Sequence, residues 1–275
     1  MTDVLFELKN VHFSYLGRYQ ALCGIDIAIE KGQRVAVIGA NGSGKSTLLH
    51  LLDGLIFPDK GSVRSFGAEL SEETLADEKR NHDFRRKVGL VFQNPDIQLF
   101  CPTVKEEVMF GPLNFGLDHI TITSAFNSIM DLFDIKELSG RMPHQLSIGE
   151  KRKVAMASVL ISSPDVLLLD EPTAGLDPKT SRDLVALLNR YHSEGRTIVT
   201  ATHDMHIVEE IADVVYVFSR DKKIIRSGPP AEIMSDIRFL QENNLIHIHA
   251  HAHGDKTHVH PHDHPSHEHD HKSSV

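Results

Sequence analysis

The sequence predicts an α/β protein: a mostly parallel core sheet with its site at one edge, a helical insert, and a second sheet near the N-terminus. Three observations lead there. A glycine-rich loop lies between a short apolar strand and a leucine-spaced helix. Apolar strands alternate with helices and carry polar residues at their carboxyl ends. Close to the start, apolar and polar residues alternate with period two, as in half-buried antiparallel strands.

The loop organises the rest. Val35 to Ile38 form an apolar run of strand length, followed by Gly39-Ala40-Asn41-Gly42-Ser43-Gly44-Lys45-Ser46-Thr47 and then Leu48, Leu49, Leu51, Leu52 and Leu55 at helical spacing. Strand, glycine loop and helix is the context that gives a G-x-x-x-x-G-K-[ST] pattern its meaning. Glycines let backbone N–H groups turn inward around phosphate oxygens, and the following helix aims its positive end at the same anion. Lys45 supplies a charge for the β- and γ-phosphates, and the Ser46 hydroxyl is a Mg²⁺ ligand. The loop therefore implies a nucleotide with Mg²⁺.

Composition bounds the alternatives. The 275 residues suffice for one large or two modest domains. Asp and Glu outnumber Lys and Arg, 38 to 29, for a formal charge of -9, which argues against a general nucleic-acid surface. No apolar run approaches the roughly 18 residues that span a bilayer. The start shows no basic segment followed by an apolar one, so no secretory signal is expected. Two cysteines, Cys23 and Cys101, are too few for a disulfide scaffold. The expected location is cytoplasmic, with any membrane span supplied by another chain.

Taken in order, Val4, Phe6 and Leu8, then Ile25, Ile27 and Ile29, mark two strands, expected to be antiparallel. Pro58-Asp59-Lys60-Gly61 turns into a strand at Ser62 to Phe66. The charged stretch from Ser71 to Lys87 reads as a solvated helix or loop. Val88 to Phe92 is an apolar strand ending at Gln93. Between about Asp96 and Ser163 the texture is helical: Thr103 to Glu106 fits a capping box, Phe126, Ile129, Met130 and Phe133 share one helical face, and a further helix runs from Gly149 to Ser162. The α/β pattern resumes with a strand Val166 to Leu169 ending in Asp170-Glu171, a helix from Pro178 closed by Gly195, and a strand from Thr197 to Thr202 ending at His203. Strands at Val214 to Phe218 and Lys223 to Ser227 follow, then helical pieces to about Asn244.

Two constellations accompany the loop. Asp170 closes a strand as a Mg²⁺-binding carboxylate does in phosphate-loop enzymes, and Glu171 stands ready to accept a proton from an attacking water. Alone, an acidic pair at a strand end is weak evidence. Leu146-Ser147-Ile148-Gly149-Glu150 opens a helix and reads as a second anion site made of a hydroxyl and free backbone donors. Two γ-phosphate sites make sense if two chains pack head to tail, each lending its second site to the other.

At these residues the sequence resembles the ATP-binding cassette family of transport ATPases, over about Leu5 to Leu245. Six motifs fall in the family's order: Gly39 to Thr47, Gln93, Leu146 to Glu150, Asp170-Glu171, Ala174 to Asp177, and His203. The resemblance implies that the fold combines the phosphate-loop core sheet with an N-terminal antiparallel β subdomain and a helical subdomain at about 96–163. It implies that the nucleotide is ATP, that Tyr15 stacks on adenine, that Gln93 touches Mg²⁺ and senses the membrane partner, and that Glu171 is the general base. His203 would contact the γ-phosphate, Asp177 would work across a dimer interface, and Ser147 and Gly149 would grip ATP held by the other subunit. Ile148 stands where the family usually has glycine and Glu150 where it often has glutamine; activity is expected to survive because Ser147 and Gly149 are kept.

Val91 to Phe100 looks like the energy-coupling-factor branch, whose ATPases drive uptake of vitamins and of cobalt or nickel. Phe92, Leu99 and Phe100 read equally well as part of a groove for a membrane subunit's helix or as core. From His247 to His271 there are eleven histidines. His247, His249, His251 and His253 alternate, and His258, His260, His262 and His264 repeat the pattern. In an extended chain that puts imidazoles on one side, suited to cobalt, nickel or zinc ions. A purification tag and an inert solubilising tail are the other readings. The tract cannot build a core, so residues 246–275 are expected to be disordered without metal. The reading is an ATP-hydrolysing subunit of a cobalt or nickel importer, dimeric with itself or a similar subunit, peripheral on the cytoplasmic face beneath integral membrane subunits. Rivals are an importer ATPase for vitamins or other metals, a cassette ATPase acting on nucleic acid, and a small-molecule kinase.

Overall fold

The computed structural model describes residues 3–253 and 256–262, with the backbone alone described in the two strands from residue 247 on. The chain begins with β1 (Val4–Tyr15) and β2 (Tyr19–Glu30), then β3 (Arg34–Gly39), α1 (Lys45–Leu52), β4 (Lys60–Ser65) and β5 (Ala68–Glu69). The charged stretch folds as α2 (Glu72–Leu75) and α3 (Glu78–Lys87), leading into β6 (Val88–Val91) and a 3₁₀ turn at Pro95–Ile97. The helical insert holds α4 (Val104–Asn114), α5 (His119–Leu132) and α6 (Ile148–Leu160). The core resumes with β7 (Val166–Asp170), α7 (Pro178–Ser193), β8 (Thr197–Thr202), α8 (Met205–Ile211), β9 (Val214–Phe218) and β10 (Ile224–Gly228), then α9 (Pro230–Ser235) and α10 (Ile237–Glu242).

Two sheets organise these elements. One has the order β2-β1-β4-β5, all antiparallel; the other has the order β10-β9-β3-β8-β7-β6, parallel throughout except for β10. Both follow from the patterns read above. The parallel strands β3, β7 and β9 are mostly apolar on both faces because each face is covered, while β8 buries Thr197, Thr200 and Thr202 among its apolar residues. In β7, Leu168 joins the cluster under α1 and the antiparallel sheet, while Leu167 and Leu169 join the cluster built with α4, α5, α6 and α7. In β3, Val35 and Val37 face the first cluster and Ala36 and Ile38 a third, under α8 to α10. The consequence for the site is positional: Gly39, Asp170 and Thr202 all lie at the carboxyl ends of neighbouring strands, where loops can converge.

Local chemistry sets several helix starts. Thr103 caps α4 by accepting from the Glu106 N–H at 3.2 Å, but the Glu106 carboxylate accepts from the Thr103 hydroxyl at 2.8 Å, so the expected box is half formed. The groove-or-core question at Val91 to Phe100 divides. Phe92 packs on the first cluster and Leu99 on the second, whereas Phe100 is 67% exposed and meets Phe110 edge-on.

Of the histidine tract expected to be disordered over residues 246–275, the described part lies within residues 246–253 and 256–262. There β11 (His247–His253) and β12 (Lys256–His262) pair antiparallel, with His247 opposite His262 and His251 opposite His258. A ladder of main-chain bonds needs no apolar side chains. His264 lies outside the described residues.

Candidate active site

β3 delivers the chain to the loop at Gly39, and α1 receives it at Lys45. Two glycines are obligatory for the loop's shape. A Cβ on Gly39 would come within 2.6 Å of the Ser43 Oγ and 2.8 Å of the Phe218 carbonyl oxygen. Gly44, which precedes α1 with φ at 109°, would place a Cβ 2.4 Å from the Ala21 carbonyl oxygen. Lys45, only 6% exposed, folds back so that its Nζ donates to the Gly39 carbonyl at 2.8 Å and lies 3.7 Å from Glu171 Oε1. Burial lowers its pKa, and the neighbouring Glu171 and Asp170 charges oppose that shift.

Across the loop stand the residues that end β7 and β8. Glu171 is buried and has φ at 47°, a left-handed conformation for a side chain that must be held against the strand end. Its Oε2 accepts from the backbone N–H of His203 at 3.2 Å and lies 2.8 Å from the His203 Nδ1 and 3.3 Å from the Thr202 Oγ1. Burial pushes the Glu171 carboxyl up, but the His203 bonds and the His203 and Lys45 charges outweigh it, leaving the pKa below the usual range. The bond to Glu171 raises His203 above its ordinary 6.5.

The sign of that shift gives a prediction. A histidine whose folded pKa is raised stabilises the fold fully below its unfolded value and loses the contribution as pH rises through the folded value. His203→Gln is therefore expected to lower the melting temperature near about pH 6 and to leave it unchanged near about pH 9. Thermal scans across that range check it; a deficit that is constant with pH would remove the charge from the account.

Asp170 is buried, and its Oδ1 has no hydrogen-bond partner. Burial pushes its carboxyl up, while the Ser46 hydroxyl pulls it down. An acidic oxygen left unpaired in a buried place, beside a loop hydroxyl, fits a hard divalent cation such as Mg²⁺. The cleft in front of these groups holds about 430 Å³. Among the predicted residues, Tyr15, Asn41, Gly42, Gly44, Lys45, Ser46, Thr47, Gln93 and Glu171 line it. Tyr15 is 40% exposed at its rim, with its hydroxyl 3.3 Å from the Thr47 Oγ1. Gly39 and Ala40 form the loop's base through their carbonyls to Lys45, and Ser43 donates its N–H to Ala40.

Three predicted residues are elsewhere. Asp177 caps α7, accepting from the N–H groups of Lys179 and Thr180. Ser147 caps α6 and is exposed, and Gly149 has open space where a Cβ would stand. Of the expected second anion site, the Ser147 hydroxyl and backbone N–H are already engaged. The N–H, at 2.7 Å, and the hydroxyl, at 2.8 Å, both donate to Glu150 Oε2, while the Glu150 N–H donates back to the Ser147 Oγ. The S-x-x-E spacing of a capping box was there to be read, and a carboxylate competes for the same donors as a phosphate.

One participant escaped the sequence reading. Arg152 is 6% exposed; its Nη1 donates to the Glu171 carbonyl and its Nη2 to the Gln93 carbonyl at 2.7 Å. The available signal was its place on the same helical stripe as Met156 and Leu160, where an ordinary surface cation would not stand.

A family model described as "ABC transporter" matches residues 22–174, more than half of the chain. The chain belongs to the ABC transporter family. This ABC ATPase is 47% identical over 244 residues to the nickel import ATP-binding protein NikO of Rhodobacter capsulatus, covering 88% of this chain and 95% of the relative. It is 40% identical over 241 residues to the energy-coupling factor transporter ATP-binding protein EcfA of Methanocaldococcus jannaschii, covering 88% and 85%. Among solved structures, cbiO1 of Clostridium perfringens, part of the ABC transporter complex cbiONQ, superposes with a TM-score of 0.74 at 34% identity, covering 88% of this chain and 95% of that one. The fold expected from the six motifs, a cassette with an antiparallel sheet and a helical insert, is the fold observed. Among the described residues no helix is long and apolar enough to cross a membrane.

Proposed function

We propose that this ABC ATPase is the energy-coupling subunit of an importer for cobalt or nickel. It works as a head-to-tail dimer beneath integral membrane subunits, peripheral on the cytoplasmic face. The observation that carries the catalytic half is the Glu171 carboxylate, kept ionised by His203 and facing Lys45 across the phosphate loop. Its chemistry is hydrolysis of the terminal phosphoanhydride. Water attacks the γ-phosphorus and gives a proton to Glu171, while the bond to the bridging oxygen breaks and ADP leaves. Lys45 leaves the Gly39 carbonyl to meet the β- and γ-phosphates. The loop's N–H groups and the start of α1 hold the same oxygens. His203 anchors the base and faces the γ-phosphate. Tyr15 at the rim stacks on adenine. Ser46, Asp170 and Gln93 would hold Mg²⁺, which when bound neutralises charge on the phosphates.

Ser147 and Gly149 complete the neighbouring subunit's site, with Asp177 at the same interface. The Glu150 carboxylate on the Ser147 donors then opposes closure. Glu150→Gln keeps an acceptor for the cap but removes the negative charge. It is expected to tighten ATP-driven dimerisation by up to about tenfold, about 1.4 kcal/mol. Sedimentation at graded ATP concentrations checks this; dimerisation weaker than in the parent chain would contradict it.

The nickel-import relative and the histidine tract support a transition-metal cargo. His247, His249, His251, His253, His258, His260, His262 and His264 would bind cobalt, nickel or zinc, with affinity falling below about pH 6.5 as imidazoles protonate. A vitamin importer is the second reading, since the energy-coupling-factor relative's name specifies no cargo. The deciding experiment is uptake of cobalt, nickel and zinc by cells with and without this chain. Loss of cobalt or nickel uptake alone is expected; unchanged uptake of all three overturns the cargo.

A further inference from the structure

We infer that Arg152 is a positioning residue that ties the general base to the Gln93 loop, so that loop, α6 and base move as one body. The inference rests on the reading of Glu171 as the base. Three side chains, Lys151, Gln98 and Arg152, fasten the loop to α6. Lys151 Nζ bonds Asp96 Oδ1 at 2.6 Å, Gln98 donates to the Ala155 carbonyl at 2.8 Å, and Arg152 donates to the Gln93 carbonyl. The first two stop there. Arg152 alone carries on, placing its other nitrogen on the carbonyl of Glu171. The main chain of the base and that of the loop therefore share one rigid, planar donor group.

Stability does not explain this guanidinium. Among the described residues it makes no ion pair. Its Nε is buried without a partner, and burial lowers its pKa although the Glu171 and Asp170 charges oppose that shift. A buried cation hydrogen-bonded to two carbonyls, with the Glu171 and Asp170 charges nearby but unpaired with it, is dearer to the fold than an apolar side chain of similar length. What the two bonds do provide is control of a strained residue. Glu171 sits at φ 47°, and the orientation of its peptide fixes where its carboxylate points. A displacement of about 1 Å at a catalytic group costs on the order of a hundredfold in rate. Movement of the Gln93 loop thus reaches the base through one side chain as well as through the pairing of β6 with β7.

The test uses the full chain and two variants, with steady-state ATP hydrolysis and thermal melting measured on each. Arg152→Met removes both bonds and fills the space; it is expected to melt no lower than the parent chain while kcat falls about tenfold or more and KM for ATP stays within about twofold. Arg152→Lys can reach one carbonyl at a time and should fall between. A folded methionine variant with parental kcat overturns the inference. So does loss of kcat and rise of KM in proportion, or unfolding of both variants, since either makes Arg152 structural. Glu171→Gln is run alongside. If it keeps turnover, the base reading itself fails; if it is inactive while both Arg152 variants are fully active, only the present inference fails.

Discussion

Glu171→Gln is expected to lower steady-state ATP hydrolysis by about a thousandfold while leaving ATP binding intact, within the span of general-base contributions. The substitution is close to isosteric. Glutamine still offers an oxygen to the His203 N–H and Thr202 hydroxyl, so the pocket's shape persists. It removes the charge that faces Lys45 and pairs with His203, and with it the ability to take a proton from water. Binding without hydrolysis traps whatever assembly ATP favours. Size-exclusion chromatography with ATP should therefore show a stable dimer for the variant and a transient one for the parent. Full turnover would remove Glu171 from its role, and an inactive variant that stays monomeric with saturating ATP would remove the dimer.

Gly44→Ala should have the second largest effect, and through the backbone. At φ 109° an L side chain is strained by about 1–3 kcal/mol before any contact is considered. The added Cβ would also meet the Ala21 carbonyl oxygen at 2.4 Å, on the main chain of β2, which cannot swing aside like a flexible side chain. Either β2 shifts or the loop opens. Urea unfolding is expected to show a loss of about 2–4 kcal/mol, and binding of a fluorescent ATP analogue a loss of at least about tenfold. By contrast Gly42, with φ at 73° and nothing near its missing Cβ, carries only the conformational part of the penalty. Equal effects at both positions would show that the contact with Ala21 is irrelevant.

How much of this was legible beforehand varies with the physical cause. The phosphate loop was, because its glycine spacing encodes a backbone path that few other residues allow. The core strand β7 was, because covering both its faces leaves an unbroken apolar run, Val166 to Leu169. The acidic pair at Asp170-Glu171 was visible only in company with the loop. Arg152 was not, since its meaning depends on which carbonyls lie at the far end of a folded side chain, and no spacing rule encodes that. Glu150 was misweighed rather than hidden: the same S-x-x-E pattern describes a helix that caps itself and a serine offered to a neighbour's phosphate. The capping pattern at Thr103 was half right, because the hydroxyl rather than the amide takes the Glu106 carboxylate.

The strict division of alternate residues in β3 and β7 between separate cores bears on how such a chain can change in length. One amino acid added inside β7 would send Leu168 where Leu167 and Leu169 belong, and would turn the carboxylates at its end to the wrong side. Growth and shrinkage must therefore be confined to outlying bends, such as the one joining β1 to β2, where Leu16 is 88% exposed. Libraries that vary loop size there should yield folded molecules far more often than equal libraries placed within the strands.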